Sequence, residues 1–198
     1  VLAFLVCTMR PPYAVAATVV LDYFQQFPFL ESATVMVQKE VADRMAAERG
    51  TKNYGAYTVT LGLYAEVAGR FAVGPGNFFP PPRVDSAVIR LNHRVPRMAD
   101  GAPAAPEVIA AACLMADAAF ANRRKTLANS CKTYFAGRGT FALPDGRLLE
   151  GAPVVGLLPT LFAAASVDPR RRGETLDQQE FLALGQALLA NAAEQARP

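Results

Sequence analysis

A short segment with two prolines and an aromatic ring, Arg10-Pro11-Pro12-Tyr13, stands where a ligand could bind. The apolar run Val1–Cys7 before it predicts a buried strand, and the residues after it predict a helix. In α/β sheets, ligands bind at the carboxyl ends of the strands. The position of this segment therefore predicts a ligand-binding site. An ordinary turn between strand and helix is the alternative interpretation.

A second candidate is the proline-rich segment Asn77–Ser86, which separates two predicted strands. Because proline fixes φ, its three consecutive prolines limit the loop to few conformations. Long loops inside a domain are often functional. The prolines could therefore hold one of the aromatic side chains of this segment at the rim of a pocket. A surface turn that buries a phenylalanine is the alternative.

The third candidate is a stretch of positive charge. Between Asp117 and Asp145 the chain has no acidic residue, and the basic residues there are Arg123, Arg124, Lys125, Lys132 and Arg138. Such a window predicts a face that binds phosphates. The net charge of +3 is too small to indicate nucleic acid by itself. A solvated helix face is the alternative.

Other kinds of site are disfavoured by composition. Cys7, Cys113 and Cys131 are odd in number and widely spaced, which fits buried thiols in a reducing compartment better than disulfides or metal knuckles. His93 is the only histidine, so neither a transition-metal cluster nor a Ser-His-Asp triad is expected. We expect His93 in a loop or at a strand end. The apolar start is too short to span a bilayer.

The residues up to His93 contain both predicted strands and predicted helices. Besides the first strand, the predicted elements are helices over 14–27, 39–47 and 57–65, the last of them ambiguous with a strand, and strands over 33–37, 67–73 and 86–91. The strand, helix, strand, helix order of the first four elements predicts a parallel α/β sheet.

Composition then changes at residues 94–106, where prolines and small residues interrupt regular structure. We therefore predict one domain over 1–93, a linker over 94–106 and a small all-α domain over 107–198. The helices predicted in the last part cover 107–120, 124–135, 154–164 and 176–191. Thr175 is the expected N-cap of the last helix, with Asp177 just inside it.

Taken together, these segments resemble the ribosomal RNA adenine dimethyltransferase family. The segment ending at Tyr13 is similar to its Asn-Leu-Pro-Tyr motif, and residues 78–86 closely resemble its Phe-x-Pro-Pro-Pro-x-Val-Asp/Glu-Ser block. Ala119–Ser130 is similar to the Phe-x-x-Arg-Arg-Lys-Thr-Leu-x-Asn helix of the small-subunit enzymes, and Lys52–Gly55 also matches. The resemblance implies the C-terminal half of a Rossmann-like class I methyltransferase sheet, α/β in class, followed by a small helical domain.

The resemblance also implies roles for individual residues. Tyr13 would stack on a flipped adenine, Phe78 would form the opposite wall, and a backbone carbonyl beside Pro12 would accept a hydrogen bond from the amine. Arg10 stands where the family has asparagine, and because a guanidinium only donates hydrogen bonds, we expect impaired methyl transfer. The residues expected to contact RNA are Arg123, Arg124, Lys125 and Lys132.

The family's methyl donor is S-adenosylmethionine, bound mainly by a Gly-x-Gly loop upstream of the Pro-Tyr motif. Gly74-Pro75-Gly76 and Gly137-Arg138-Gly139 lack a preceding strand and a following helix in the right register for such a loop. Pro11 would be a remnant of the cofactor site. We expect a coding sequence that is truncated, or frame-shifted just before Pro11.

The implied function is methylation of two adjacent adenines near the 3′ end of small-subunit rRNA to N6,N6-dimethyladenine. The protein would be a cytoplasmic monomer that acts on the immature small ribosomal subunit, with neither metal nor membrane involved. Two other interpretations stay open. One is a non-catalytic rRNA-binding or ribosome-assembly module, and the other is a fragment that folds poorly because its sheet has an unpaired edge.

Overall fold

A computed structural model of the chain describes residues 4–7, 14–142 and 146–195. These residues form two compact units. The first unit comprises Val1–Glu48 and Leu61–Val95, and the second comprises Arg49–Thr60 and Pro96–Pro198. The change of unit after Val95 falls inside the segment expected to be a linker. The sequence pattern does not predict that Arg49–Thr60 belongs to the second unit.

The first unit is built on a four-stranded sheet. Its elements are β1 (Phe4–Cys7), α1 (Ala14–Gln26), β2 (Ser32–Gln38), α2 (Lys39–Met45), the last part of α3 (Ala56–Tyr64), β3 (Ala65–Val73) and β4 (Ser86–His93). The strand order is β1-β2-β4-β3. β1 and β2 are parallel, but β4 runs antiparallel to both β2 and β3. The parallel arrangement expected from the first strand, helix, strand, helix series holds for β1 and β2, whereas β4 runs in the opposite direction because residues 74–85 turn the chain back between β3 and β2.

Apolar side chains at regular spacing form the core of this unit. Alternate residues of β2 are buried, and Val35 lies opposite Ile89 of β4 in the antiparallel register. In α1 the buried side chains recur every fourth residue, ending at Phe24. The Phe24 ring stacks on His93 with 6.3 Å between ring centroids. His93 is thus packed at the end of β4, as expected.

The second unit is mainly helical. Its elements are the first part of α3, then α4 (Pro106–Phe120), α5 (Leu127–Ala136), β5 (Thr140–Ala142), β6 (Leu148–Glu150), α6 (Gly151–Ala164) and α7 (Gln178–Gln195). The antiparallel pair β5–β6 makes the all-α expectation incomplete. Each of these strands has only three residues, too few for an alternating pattern to stand out. The Phe141 ring of β5 stacks on Phe135 at 5.8 Å.

The last helix begins at a different cap from the one expected. The Asp177 carboxylate accepts a hydrogen bond from the Glu180 backbone N–H at 2.9 Å, and the Glu180 carboxylate accepts one from the Asp177 N–H at 2.9 Å. This reciprocal pair is a capping box. Thr175 instead donates its hydroxyl proton to the Arg172 carbonyl at 2.8 Å, within the 3-10 turn Gly173–Thr175.

Candidate nucleic-acid interface

The proline-rich loop between β3 and β4 holds Phe78 at its first bend. The 3-10 turn Pro75–Asn77 begins the loop, and the Phe78 N–H donates to the Pro75 carbonyl at 3.1 Å. The Phe78 side chain is half-buried, whereas the neighbouring Phe79 is 97% exposed. The loop therefore carries two adjacent rings, of which only Phe78 is partly held by packing. Arg10, Pro11, Pro12 and Tyr13 lie outside the described residues.

A polar pocket of about 420 Å³ opens where this loop returns to the sheet. Its lining residues are Gln38, Lys39, Glu40, Asp43, Arg83, Val84 and Asp85. Asp43 accepts a hydrogen bond from Lys39 at 2.8 Å and one from Arg70 at 2.9 Å. The Lys39 hydrogen bond is the main reason that the pKa of Asp43 lies below its usual value. Arg83 is exposed and forms no ion pair within the described residues.

The basic motif lies in a turn between two helices of the second unit. Residues 121–126 connect α4 to α5, and Thr126 caps α5 by accepting a hydrogen bond from the Asn129 N–H at 3.4 Å. The expected helix over 124–135 therefore begins later, at Leu127. Arg123, Arg124 and Lys125 precede the helix rather than lying on its face.

Buried Ser130 fixes this turn. Its hydroxyl donates to the Ala118 carbonyl at 2.7 Å and accepts from the Asn122 N–H at 3.0 Å. One side chain of α5 thus joins the end of α4 to the start of the turn. The conformation that presents the basic residues is consequently set by the helix packing below it.

The three basic residues of the turn have different surroundings. The Arg123 guanidinium forms an ion pair with Glu174 at 3.4 Å and donates to the Thr51 carbonyl at 3.1 Å. Arg124 and Lys125 are exposed, and their side chains form no ion pair or hydrogen bond within the described residues. Lys132 is likewise exposed on α5. Arg124 and Lys125 therefore remain available to an outside partner, whereas Arg123 is engaged within the unit.

A second basic segment adjoins the turn. The Leu127 N–H donates to the Arg171 carbonyl at 2.6 Å, which places residues 170–172 beside the start of α5. Arg171 is paired with Glu180, and Arg170 with Asp168 at 3.2 Å. Arg172 is 56% exposed and lies 4.0 Å from Glu174. Three consecutive arginines make this segment recognisable in the sequence. Its contact with the start of α5 could not be predicted, because the two segments are far apart along the chain.

Residues 5–164 match the protein family described as "Ribosomal RNA adenine dimethylase". The chain belongs to the ribosomal RNA adenine dimethylase family. The family resemblance of the sequence motifs is thereby confirmed.

Relatives of this dimethylase-family chain bear the name "Ribosomal RNA small subunit methyltransferase A". The protein of Geobacillus thermodenitrificans is 38% identical over 178 residues, a match that covers 90% of this chain and 55% of that protein. The protein of Streptomyces griseus is 40% identical over 175 residues, covering 88% of this chain and 53% of that protein. The chain spans about half the length of the curated relatives it matches.

Two solved structures show the same fold. A dimethyladenosine transferase from Plasmodium falciparum aligns with a TM-score of 0.67 at 22% identity, covering 96% of this chain and 67% of that one. The 23S rRNA methyltransferase ErmE aligns with a TM-score of 0.56 at 20% identity, covering 93% of this chain and 64% of that one. The expected fold class, methyltransferase-type α/β followed by helices, is confirmed.

Among the residues that the structure describes, no three histidine, cysteine, aspartate or glutamate side chains are grouped to hold a metal ion. None of the helices described is both long enough and apolar enough to cross a membrane. Burial raises the pKa of the Cys131 thiol to about 12, and Cys113 is half-buried.

Replacing Ser130 with alanine tests how the basic turn of the dimethylase chain is held. We expect the free energy of unfolding of the second unit to fall by about 1–3 kcal/mol, because the Asn122 N–H loses its partner in a partly buried position. Chemical denaturation followed by circular dichroism measures this change. The matched control is Thr133→Ala on exposed α5 surface, where we expect a change within about 0.5 kcal/mol. Equal effects of the two substitutions would contradict the bridging role of Ser130.

Proposed function

We propose that this chain serves a small-subunit rRNA adenine N6,N6-dimethyltransferase whose targets are two adjacent adenines near the 3′ end of the RNA. Its described residues supply recognition of the RNA. The observation that carries the proposal is the pair Arg124 and Lys125, held on a fixed turn with no partner among the residues that the structure describes. The name shared by the curated relatives supports the choice of the small-subunit RNA.

The two units would have separate roles in recognition. Arg124, Lys125 and Lys132 bind phosphates, which positions the RNA without reading its sequence. Arg172 extends the same surface, since residues 170–172 adjoin the turn. In the first unit, the ring of Phe78 forms one wall against a flipped adenine, and Tyr13 with Pro12 forms the other. The immature small ribosomal subunit in the cytoplasm is the expected partner.

The methyl donor of the family is S-adenosylmethionine, and the described residues do not fit a site for it. Gly74 and Gly76 lead from β3 into a 3-10 turn, and Gly137 and Gly139 follow a helix. Neither pair lies between a strand and an α-helix, where a Gly-x-Gly loop binds the nucleotide part of such a cofactor. We therefore assign no methyl-transfer step to the described residues, and Pro11 stays a predicted contact.

Binding of RNA with and without the target bases tests this function. The probe is a single-stranded RNA with the sequence around the two adjacent adenines, and the comparison RNA carries abasic sites at those two positions. Because stacking on an aromatic ring contributes about 1–3 kcal/mol per base, we expect the chain to prefer the adenine RNA by about 5- to 100-fold. Equal affinity for the two RNAs would contradict the proposed function.

Phe78→Ala should remove that preference, while Phe78→Tyr should keep it, because only the ring is needed for stacking. Fluorescence anisotropy with both RNAs measures the change. The exposed neighbour provides the matched control, since Phe79→Ala changes the same loop by the same number of atoms. If Phe79→Ala abolishes the preference and Phe78→Ala does not, the assignment of the base wall to Phe78 is wrong.

A further inference from the structure

Residues 49–55 form a loop of the second unit in which the exposed residues precede a buried tyrosine. Residues 49–53 are exposed, whereas Tyr54 is 4% exposed. Gly50 has φ of +81°, in the left-handed region that favours glycine, so the chain can turn sharply before Thr51. The Tyr54 N–H donates to the Thr51 carbonyl at 3.2 Å and closes the turn.

The loop is anchored at Gly50 and Thr51 and again at Tyr54. The Gly50 N–H donates to the Glu174 carbonyl at 2.8 Å, and the Arg123 guanidinium donates to the Thr51 carbonyl at 3.1 Å. After the exposed residues, the buried Tyr54 hydroxyl donates to the Leu176 carbonyl at 2.9 Å. Burial raises the pKa of Tyr54 to about 12, so the hydroxyl keeps the proton that it donates.

The acidic groups around these anchors are paired with arginines. Asp177 forms an ion pair with Arg49 at 3.4 Å, and Glu174 forms one with Arg123 at 3.4 Å. Two arginines therefore serve as counter-ions inside the unit. These two arginines therefore add little net positive charge to the surface that an outside partner would contact.

Lys52 is a basic residue of this loop that does not serve as a counter-ion within the described residues. It is exposed and forms no ion pair within the described residues. It follows Thr51, whose carbonyl accepts the hydrogen bond from Arg123, and Arg124 follows Arg123 along the turn. Lys52 and Arg124 are thus each one residue from a direct contact between their two segments. This contact brings the loop that carries Lys52 to the turn that carries Arg124 and Lys125.

We propose that residues 51–53 belong to the RNA-binding surface of the helical unit, with Lys52 contacting a backbone phosphate of the RNA that Arg124 and Lys125 bind. Arg123 is a positioning residue, which holds the loop through Thr51 and Glu174. The proposal rests on the proposed function and extends it. A loop that is anchored before the RNA arrives loses little conformational freedom on binding, so its one lysine contributes fully.

The test compares Lys52→Ala, Lys52→Arg and Arg124→Ala in the whole chain. The probe is an RNA fragment from the 3′ end of small-subunit rRNA, and affinity is measured over a series of salt concentrations. Each phosphate contact contributes about 0.7–0.9 to the slope of log affinity against log salt. We expect Lys52→Ala and Arg124→Ala each to reduce the slope by about that amount and to weaken binding about 5- to 10-fold near 0.1 M salt. Lys52→Arg should retain both.

The possible results distinguish a failure of the proposed Lys52 contact from a failure of the proposed function. An unchanged slope for Lys52→Ala beside a reduced slope for Arg124→Ala would overturn the loop contact and leave the proposed function standing. Unchanged slopes for both variants would count against the RNA surface as a whole. Arg90→Ala is the control for loss of an exposed positive charge on the first unit, and its slope should equal that of the unmodified chain.

The role of Arg123 is tested by a double-mutant cycle. If Arg123 acts by holding the loop, Arg123→Ala should increase amide hydrogen exchange at residues 50–54 and should weaken RNA binding less in the Lys52→Ala background than alone. Additive losses in affinity with unchanged exchange would show a direct phosphate contact. That result would overturn the positioning role.

Discussion

Gly185→Ala should lower the melting temperature of the helical unit by more than about 10 °C. A Cβ atom at this position of α7 would lie 2.5 Å from the Ala112 backbone nitrogen and 2.7 Å from the Val108 carbonyl oxygen, both in α4. Backbone atoms of a packed helix cannot move aside as a flexible side chain can. Forced overpacking costs about 1–3 kcal/mol or more, and 1 kcal/mol corresponds to about 4–8 °C in a domain of this size.

The matched control for this substitution is Gly156→Ala, also inside a helix. Nothing lies within 4 Å of a Cβ built at Gly156. Alanine there should raise the free energy of unfolding by up to about 1 kcal/mol, because it reduces the freedom of the unfolded chain. Differential scanning calorimetry of both variants measures the contrast. A similar melting temperature for the two variants would show that α4 and α7 do not pack as closely as described.

The double substitution Arg124→Ala with Lys125→Ala should weaken binding to the small-subunit rRNA fragment about 25- to 100-fold near 0.1 M monovalent salt. Each lost phosphate contact accounts for about 5- to 10-fold at that concentration, through the release of counter-ions. Since neither side chain has a partner within the described residues, the melting temperature should stay within about 2 °C of the original. Anisotropy titrations at several salt concentrations measure the affinity.

Salt dependence provides the internal check of this second prediction. The difference between the double variant and the unmodified chain should shrink towards zero as the salt approaches about 1 M, because the lost interaction is electrostatic. A difference that persists at high salt would indicate a contact of another kind. A large fall in melting temperature would instead show that the turn depends on these side chains for its structure.

The order of the helices and strands could be predicted from local sequence patterns. Apolar spacing predicted α1, β2, α2, α3, β3 and β4 near their observed bounds, as well as four helices in the second unit. Helices and strands are set by periodicity and by breakers within a few residues, so one sequence is enough to find them. The direction of β4 depends instead on how residues 74–85 turn, and no local pattern encodes that.

The N-cap of α7 was misassigned for a similar reason. Thr175 and Asp177 are both good capping residues. Glu180 decides between them, because it stands three residues after Asp177 and completes the reciprocal pair of hydrogen bonds. The Asp-x-x-Glu spacing was available in the sequence as a signal. The β5–β6 pair, by contrast, offered too few residues to be recognised.

The basic motif shows what each level determines about this protein. The sequence by itself determined that Arg123, Arg124 and Lys125 form a basic segment of a family motif, because residue types and spacing are properties of the chain. Only the tertiary structure decided that Arg123 faces Glu174 and Thr51 while Arg124 and Lys125 have no partner in the described part of the chain. The Arg123–Thr51 contact brings the loop around Lys52 to this turn, and the hydrogen bond from Leu127 to Arg171 brings the arginines at 170–172 there. Charges are paired or free according to neighbours that the fold brings from distant parts of the chain, so local spacing cannot predict them.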